Sequence, residues 1–225
     1  MGWAVLAAAR PAVADELAVA SAAEAEAVVV PPVLDVISWP QWVDRNFSFS
    51  YPPGFKEVQD LSYAAPPRPH QVAENPLKAE VRGEGGQQRI NVVVKQTTAF
   101  KRTLLQVTGK QGAGAQAGDI SQLGDPRQVA NLLLPPGAVV ASVSAASVAQ
   151  PPKDTGTLLG TIQRDPVSYY SYDVLLPDGT RVQLAAAAQL GRLYVLAASA
   201  PAGQWQEAGP ALKEAAASFR LRYKV

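Results

Sequence analysis

The sequence predicts an α+β domain built on an antiparallel β-sheet, and three features of the chain lead to this prediction. Apolar side chains alternate with polar ones in several segments after residue 46, which is the period of a half-buried strand. Three of these segments follow one another through turns too short for a parallel return, so they must be antiparallel neighbours. Two other segments repeat apolar residues every three or four positions, which indicates amphipathic helices.

The strand segments begin with NFSFSYPPGF (46–55), where aromatic residues alternate with polar ones until Pro-Pro-Gly predicts a turn. RINVVVKQT (89–97) predicts a strand with Ile90, Val92 and Val94 on one face, and VVASVSAASV (139–148) predicts a weaker strand. The antiparallel set is a hairpin over 168–189, turning at Pro-Asp-Gly, and a third strand over 192–199 after a glycine turn.

The first predicted helix lies in DPRQVANLLL. Asp125 is suited to cap its N-terminus, and Pro126 stands at the first helical position, where its missing N–H costs nothing. Val129, Leu132 and Leu133 are predicted to share its apolar face.

The second predicted helix lies in QWQEAGPALKEAAASF. Its apolar residues, spaced alternately by three and four, form one stripe: Trp205, Ala208, Leu212, Ala215 and Phe219. Because Pro210 interrupts the pattern, we expect a short turn around Trp205 and a regular helix starting near Pro210.

Composition excludes several classes of function. The chain of 225 residues is 48% hydrophobic and carries a net charge of only +1, so no global field would attract nucleic acid or an anionic membrane. The absence of cysteine excludes disulfides, thiolate catalysis and cysteine-bound zinc. The single histidine, His70, excludes any site that needs two imidazoles.

Residues 1–45 are predicted to be a targeting remnant followed by a tether, and residues 46–225 the folded domain. Ala12-Val13-Ala14 before Asp15 follows a short apolar run and fits a signal-peptidase site, which predicts a mature N-terminus near Asp15. The alternative is that the Ala-Val-Ala triplet arose by chance in an Ala-rich leader. No stretch of the chain reaches the roughly 20 apolar residues that a membrane span needs.

Two short segments are candidate partner-binding sites. Trp39 and Trp42 in ISWPQWVDR either pack back on the domain or anchor a partner, since Trp is a favoured hot-spot residue. In FRLRYKV at the C-terminus, Arg220, Arg222 and Lys224 alternate with apolar residues, which predicts one cationic face on an extended segment. The alternative for these cations is protection of an edge strand against aggregation.

Catalytic and metal sites have weak support. His70 lies in a Pro-rich loop, and nothing near it resembles a nucleophile elbow. Asp173 and Asp178 could bind one cation weakly, but turn chemistry accounts for Asp178 without metal. Tyr169, Tyr170 and Tyr172 could suggest redox tyrosines. Alternation places Tyr170 and Tyr172 on one face of a strand and Tyr169 on the other, and packing in the sheet core accounts for this arrangement. The Gly-rich 109–118 segment lacks the Lys-Ser/Thr of a phosphate loop, so we interpret it as a surface loop.

The order of these segments resembles the PsbP family, the extrinsic proteins on the lumenal side of photosystem II and their PsbP-like and PsbP-domain relatives. The resemblance covers about residues 46–221. Its most specific parts are Ile120, Leu123, Gly124 and Pro126, the pair Tyr169-Tyr170, Gly191-Arg192-Leu193-Tyr194, Trp205, and Ser218-Phe219.

The resemblance implies an α/β/α sandwich, with helices on both faces of the central sheet, and a second strand that pairs back from near Phe55. It also implies a protein imported into the chloroplast thylakoid lumen, peripheral to the membrane, that takes part in photosynthesis. The implied partners are photosystem subunits or assembly intermediates. Calcium is implied as a cofactor by the family resemblance alone.

Three differences separate the chain from the photosystem II subunit itself: an unlike leader before residue 46, no histidine in TRVQLAAAA, and a longer Gly-rich loop over 100–118. They argue against direct calcium and chloride retention at the oxygen-evolving complex. The resulting prediction is a non-enzymatic protein that docks on a photosystem, either on the oxygen-evolving side of photosystem II or as an assembly or stabilisation factor. The alternative is an enzyme that binds an ion or small molecule on the same fold.

Overall fold

The computed structural model describes residues 35–61, 75–98, 117–154 and 160–222. Several predictions lie outside these residues: the Ala12-Val13-Ala14 processing site, the tether over 15–32, the His70 loop, most of the Gly-rich 109–118 segment, and Lys224. The described residues belong to one unit, Val33–Val225.

The described residues include twelve strands and two α-helices. In chain order they are β1 (Gln41–Val43), β2 (Phe47–Ser50), β3 (Lys56–Glu57), β4 (Leu77–Arg82), β5 (Arg89–Gln96), α1 (Pro126–Leu133), β6 (Val139–Val148), β7 (Lys153–Asp154), β8 (Thr161–Ile162), β9 (Val167–Leu175), β10 (Thr180–Gln189), β11 (Arg192–Pro201), α2 (Trp205–Ala217) and β12 (Arg220–Leu221).

The central sheet has seven antiparallel strands in the order β3-β4-β5-β11-β10-β9-β6. The hairpin predicted at Pro-Asp-Gly joins β9 to β10, where Gly179 has φ +80° and Asp178 accepts a hydrogen bond from the Thr180 N–H. The β10–β11 turn at Gly191 is also confirmed, because Gln189 pairs with Arg192 across it. The prediction of a central antiparallel sheet is therefore confirmed.

The opening strand pairs differently from the prediction. β2 lies between β1 and β12 in a separate three-stranded sheet, which we call the terminal sheet. The strand after the Pro-Pro-Gly turn, β3, pairs with β4 and not with β2, so the expectation of a strand returning from Phe55 is wrong. The reason is long-range: Phe47 and Phe49 are buried, and β12 brings Leu221 beside Phe47.

Helix α1 begins as predicted. The Asp125 carboxylate accepts hydrogen bonds from the N–H groups of Arg127 and Gln128, and the Gln128 side chain accepts one from Asp125 N–H, which completes a capping box. Its buried face differs slightly from the prediction. Val129 and Ala130 are buried, whereas Leu132 is only half-buried.

Helix α2 begins at Trp205, five residues earlier than expected, and Pro210 lies inside it. The pyrrolidine ring is exposed, and the preceding residue, Gly209, has no Cβ to clash with the ring. Burial of Trp205, Ala208 and Leu212 on one face outweighs the lost backbone hydrogen bond.

Two clusters of buried side chains form the core. The first joins the apolar stripe of α2 to aromatic residues of β2 and to Tyr169 of β9. The second joins α1 and the preceding 3-10 helix, Ile120–Leu123, to Tyr170 and Tyr172. The predicted division of the three tyrosines between the two faces of β9 is confirmed.

Candidate functional site

Both tryptophans of the candidate docking segment contact the domain core. Trp39 and Trp42 are half-buried and pack against the cluster that contains β2 and α2. Trp42 pairs with Phe49 across the β1–β2 ladder, and their rings stack with centroids 6.3 Å apart and planes 8° apart. The exposed part of each indole remains available to a partner.

Arg220 of the C-terminal segment lies in β12, an edge strand of the terminal sheet, and Arg222 follows directly after this strand. Arg220 pairs with Ser48 in the β12–β2 ladder, so its side chain emerges on the face opposite to Phe47 and Phe49. Trp42 shares the face of Phe49. The structure therefore brings these residues into one small sheet, but it does not place Trp42 and Arg220 on the same face.

Both described arginines of this segment also have local hydrogen bonds. The Arg220 guanidinium donates to the carbonyls of Ala217 and Phe219, at 2.6 and 2.7 Å, and so satisfies carbonyls at the end of α2. The Arg222 guanidinium donates to the Asp44 carbonyl at 3.1 Å, while its backbone N–H donates to the Asn46 carbonyl. Both side chains remain exposed, so each keeps N–H donors for a partner.

Asp173 and Asp178, the candidate cation ligands, both have partners within the domain. Asp173 is buried between two cations, with Arg181 Nη2 at 3.2 Å and Lys213 Nζ at 3.0 Å from its carboxylate oxygens. Its charge is thus already neutralised, and the contact with Lys213 ties α2 to the sheet. Hydrogen bonds from Thr180 lower the pKa of the Asp178 carboxyl, as expected of a turn residue.

Nowhere in residues 35–61, 75–98, 117–154 and 160–222 do three or more His, Cys, Asp or Glu side chains group as metal ligands would. Within the same ranges, every helix is too short or too polar to cross a membrane.

The tyrosines of β9 tie the second cluster to α1 and its N-terminal cap. The Tyr170 hydroxyl donates to the Gly124 carbonyl at 3.0 Å, and the Tyr172 hydroxyl donates to the Pro126 carbonyl at 2.9 Å. Burial, reinforced by the nearby negative charge of Asp125, raises the pKa of both phenols. These contacts give the pair a packing role.

A groove of about 460 Å³ lies beside the C-terminal end of α1, over the Thr180 end of the sheet. Its floor is apolar, with Val182, Leu184 and Val195, and its rim includes Arg89. Asn91 also lines it, and the Asn91 Oδ1 atom is buried without a hydrogen-bond partner.

This groove was not predicted from the sequence, although the sequence contains one signal of it. Alternation in RINVVVKQT places Asn91 on the face opposite to Ile90 and Val92, where a polar side chain needs a partner.

Among the comparisons with known proteins, the match to a family model agrees with the resemblance in the sequence. A search of the curated proteins found no match. Among solved structures, the chain is similar to the solution structure of cyanobacterial PsbP (CyanoP) from Synechocystis sp. PCC 6803, with 15% sequence identity and a TM-score of 0.43, over 84% of this chain and 95% of that chain. A family model described as PsbP matches residues 42–221. Since this match covers most of the 225 residues, the chain belongs to the PsbP family.

Proposed function

We propose that this chain is a non-enzymatic extrinsic protein that docks on photosystem subunits from the thylakoid lumen of a chloroplast. The observation that carries the proposal is membership of the PsbP family over residues 42–221. The target is either the oxygen-evolving side of photosystem II or an intermediate of photosystem assembly.

The chemistry of the described residues supports a binding role. The buried carboxylates are engaged in ion pairs: Glu80 with Arg82 and Arg89, and Asp173 with Arg181 and Lys213. Acids held in this way are poor general acids or bases, because their charge already has partners.

The proposed docking surface is the terminal sheet with its flanking residues Trp39, Trp42, Arg220, Arg222 and Lys224. The half-exposed Val43 adds apolar area on the face of Arg220, because both residues pair with Ser48. A partner with carboxylates opposite the arginines and an apolar patch opposite Val43 would complement this surface.

Fractionated thylakoids test the proposal. Tagged full-length chain, expressed in a photosynthetic host, should co-purify with photosystem subunits or assembly intermediates, and mass spectrometry identifies which. Recovery of the chain outside the lumen, or free of any photosystem subunit under mild detergent, would overturn the proposal.

Arg220→Gln, Arg222→Gln and Lys224→Gln together test the cations. If they dock, the wild-type affinity for the photosystem should fall as salt rises, because exposed charges are screened within about 10 Å at 0.1 M salt. The triple variant should bind more weakly at low salt and lose most of the salt dependence. The matched control changes three exposed cations elsewhere, Lys56, Lys95 and Arg192, to Gln. Equal weakening by both triples would show that overall charge, and not this surface, matters.

We also infer that the domain is an α/β/α sandwich with helices on both faces of the central sheet. Alternate residues of β9 support this: Tyr169 belongs to the cluster with α2, whereas Tyr170 and Tyr172 belong to the cluster with α1.

A second candidate function, binding of a small molecule, is favoured by the unpartnered Asn91 Oδ1 atom in the 460 Å³ groove. The groove is within the usual size range of ligand pockets, and a ligand hydroxyl or amide N–H would satisfy the Asn91 acceptor. A fragment screen by ligand-observed NMR tests it. Fragments with such a donor should bind the wild type and not Asn91→Val, and equal binding to both would refute the site.

A further inference from the structure

Strand β6 forms an edge of the central sheet as the described residues define it. Its only neighbour among the described strands is β9, so its other side carries backbone N–H and C=O groups with no strand partner there. The ten residues VVASVSAASV contain no charge and no proline. An edge of this length normally carries lysines or prolines that prevent another chain from pairing with it.

The other described edges are protected in these ways. β3, at the opposite edge of the same sheet, has only two residues, and both Lys56 and Glu57 are charged. In the terminal sheet, β1 has three residues, and β12 carries Arg220. β7 and β8 form a separate pair of strands with only two residues each. Among the described edges, β6 is therefore the one whose length and chemistry permit strand addition.

The regular part of β6 is long enough to bind a peptide. A bulge shifts the register between Val140 and Ser142, but from Ser142 to Val148 each residue pairs with β9 without a break. Ser144, Ala145 and Ala146 are exposed, and their small side chains let another backbone approach closely.

A groove runs beside this edge. It has a volume of about 640 Å³ and lies between α1 and the first half of β6. Ala130, Val140 and Val143 contribute apolar lining, and Asp125 and Arg127 contribute charges of both signs. A strand placed on β6 would direct alternate side chains towards α1, into this space.

We propose that β6 is a docking site for an extended segment of a partner protein, which adds an eighth strand to the central sheet. Main-chain hydrogen bonds to Ser142–Val148 would provide affinity, and the groove would select a large apolar side chain at one position of the segment. The balanced charges of Asp125 and Arg127 favour no net charge in that segment.

A partner's segment fits this edge better than a second copy of β6 does. Pairing of β6 with itself would bring only Ala, Ser and Val side chains to the groove. Side chains of this size cannot fill a groove of about 640 Å³, whereas Leu, Phe or Tyr fills much more of it.

This inference goes beyond the proposed photosystem docking, because it concerns another part of the domain and needs no photosystem for its test. The probes are four synthetic nine-residue peptides of alternating Thr and Val with Lys at one end and Glu at the other, differing only in a central Leu, Val, Phe or Tyr. The measurement is the amide NMR spectrum and hydrogen exchange of the ¹⁵N-labelled full chain during titration.

At least one peptide with Leu, Phe or Tyr should shift the amides of Ser142–Val148 and of the α1 residues that line the groove, and slow exchange along β6. N-methylation of alternate residues of that peptide should weaken binding at least about tenfold, since it removes the donors that pair with the edge.

Proline variants test the edge from the side of the protein. Successive residues of an edge strand point their N–H groups in opposite directions. Of the two variants Ser144→Pro and Ala145→Pro, one therefore removes an N–H that points away from the sheet, and the other removes a hydrogen bond to β9. The variant that keeps the wild-type melting temperature should bind the peptide at least about tenfold more weakly. If both variants unfold, Ala145→Lys replaces them as the edge-blocking change.

Three results would overturn the proposal. They are no saturable shift in β6 with any of the four peptides, binding that the edge-blocking variant leaves unchanged, and concentration-dependent self-association through β6 in the absence of peptide. The last result would assign the edge to a second copy of this chain.

Discussion

The Trp205 indole lies against Gly209, one helical turn further along α2. A Cβ built on Gly209 would lie 2.9 Å from the indole Nε1 atom, closer than real Cβ contacts allow. The ring has little freedom to move, because it is buried and the Arg181 guanidinium lies 5.2 Å from its centroid. Close packing, and not backbone conformation, therefore requires glycine at this position.

Gly209→Ala should destabilise the domain, although alanine is the better helix former. Overpacking against the indole is expected to lower the free energy of unfolding by about 1–3 kcal/mol. This exceeds the roughly 1 kcal/mol by which the higher helix propensity of alanine would raise it. Urea denaturation measures the difference. In the control Gly203→Ala, the new Cβ has no atom within 4 Å, so stability should change little. A stabilised Gly209→Ala variant would show that the ring moves aside.

Asp119 joins the start of the Ile120–Leu123 helix to β9. Partial burial of its carboxylate opposes ionisation, but hydrogen bonds from the backbone N–H groups of Ser121 and Ser168 outweigh this, and the pKa of Asp119 is lowered. A lowered folded-state pKa means that the carboxylate stabilises the fold above its unfolded pKa, near 3.9, and that this contribution disappears as the pH falls through the folded-state pKa.

Asp119→Asn should cost about 1 kcal/mol at pH 6, because one amide oxygen cannot replace two carboxylate oxygens. The difference between the wild type and the variant should shrink as the pH falls below about 4. Denaturation midpoints across this range provide the measurement. A difference that stays constant with pH would show that the ionised carboxylate is not what stabilises this contact.

At the scale of elements, α2 is held to the sheet at both ends. Trp205 anchors its start, and Phe219, just beyond its end, is fully buried. The Phe219 ring contacts Phe47 and Tyr169, with centroids 6.1 and 6.3 Å away. Phe219 thus joins α2, β2 and β9 in one aromatic cluster.

Phe219→Ala should lower the free energy of unfolding by about 3–5 kcal/mol, the cost of removing a fully buried ring and leaving a cavity. Guanidinium denaturation tests this. Ile37→Ala removes a side chain that is 98% exposed and serves as the control, with an expected change below about 0.5 kcal/mol. An unchanged midpoint for Phe219→Ala would show that the ring is not core.

At the scale of the whole molecule, the terminal sheet brings the two ends of the described domain together. β2, near residue 47, pairs with β12, near residue 221, and β1 completes the sheet on the other side. The proposed docking residues thus contact the core as well as solvent, so docking and stability must be measured separately.

Trp39→Ala with Trp42→Ala should lower stability by about 1–3 kcal/mol, since both half-buried indoles pack on the core. Trp39→Phe with Trp42→Phe keeps most of the apolar cover, and its melting temperature should stay close to that of the wild type. If the indoles dock, the Phe pair should still reduce co-purification with the photosystem. Unchanged co-purification of the Phe pair would limit both tryptophans to a packing role.

Elements whose causes are local could be predicted from the sequence. Alternation located β5, β9, β10 and β11, and Pro-Asp-Gly located the β9–β10 turn, because a two-residue period and a turn depend on neighbouring residues only. Asp125 and Pro126 marked the start of α1 for the same reason. The order of these segments was also sufficient to indicate the family.

Contacts between residues distant in the chain could not be predicted from the sequence and became visible in the folded domain. β2 pairs with β12 and not with the strand that follows it, and α2 continues through Pro210, because burial of aromatic residues from distant segments outweighs local propensity. The groove with Asn91 and the edge position of β6 also depend on which strands become neighbours. Strand order is a long-range property, because it is set by the total apolar area that packing removes from water, and no short stretch of sequence contains that information.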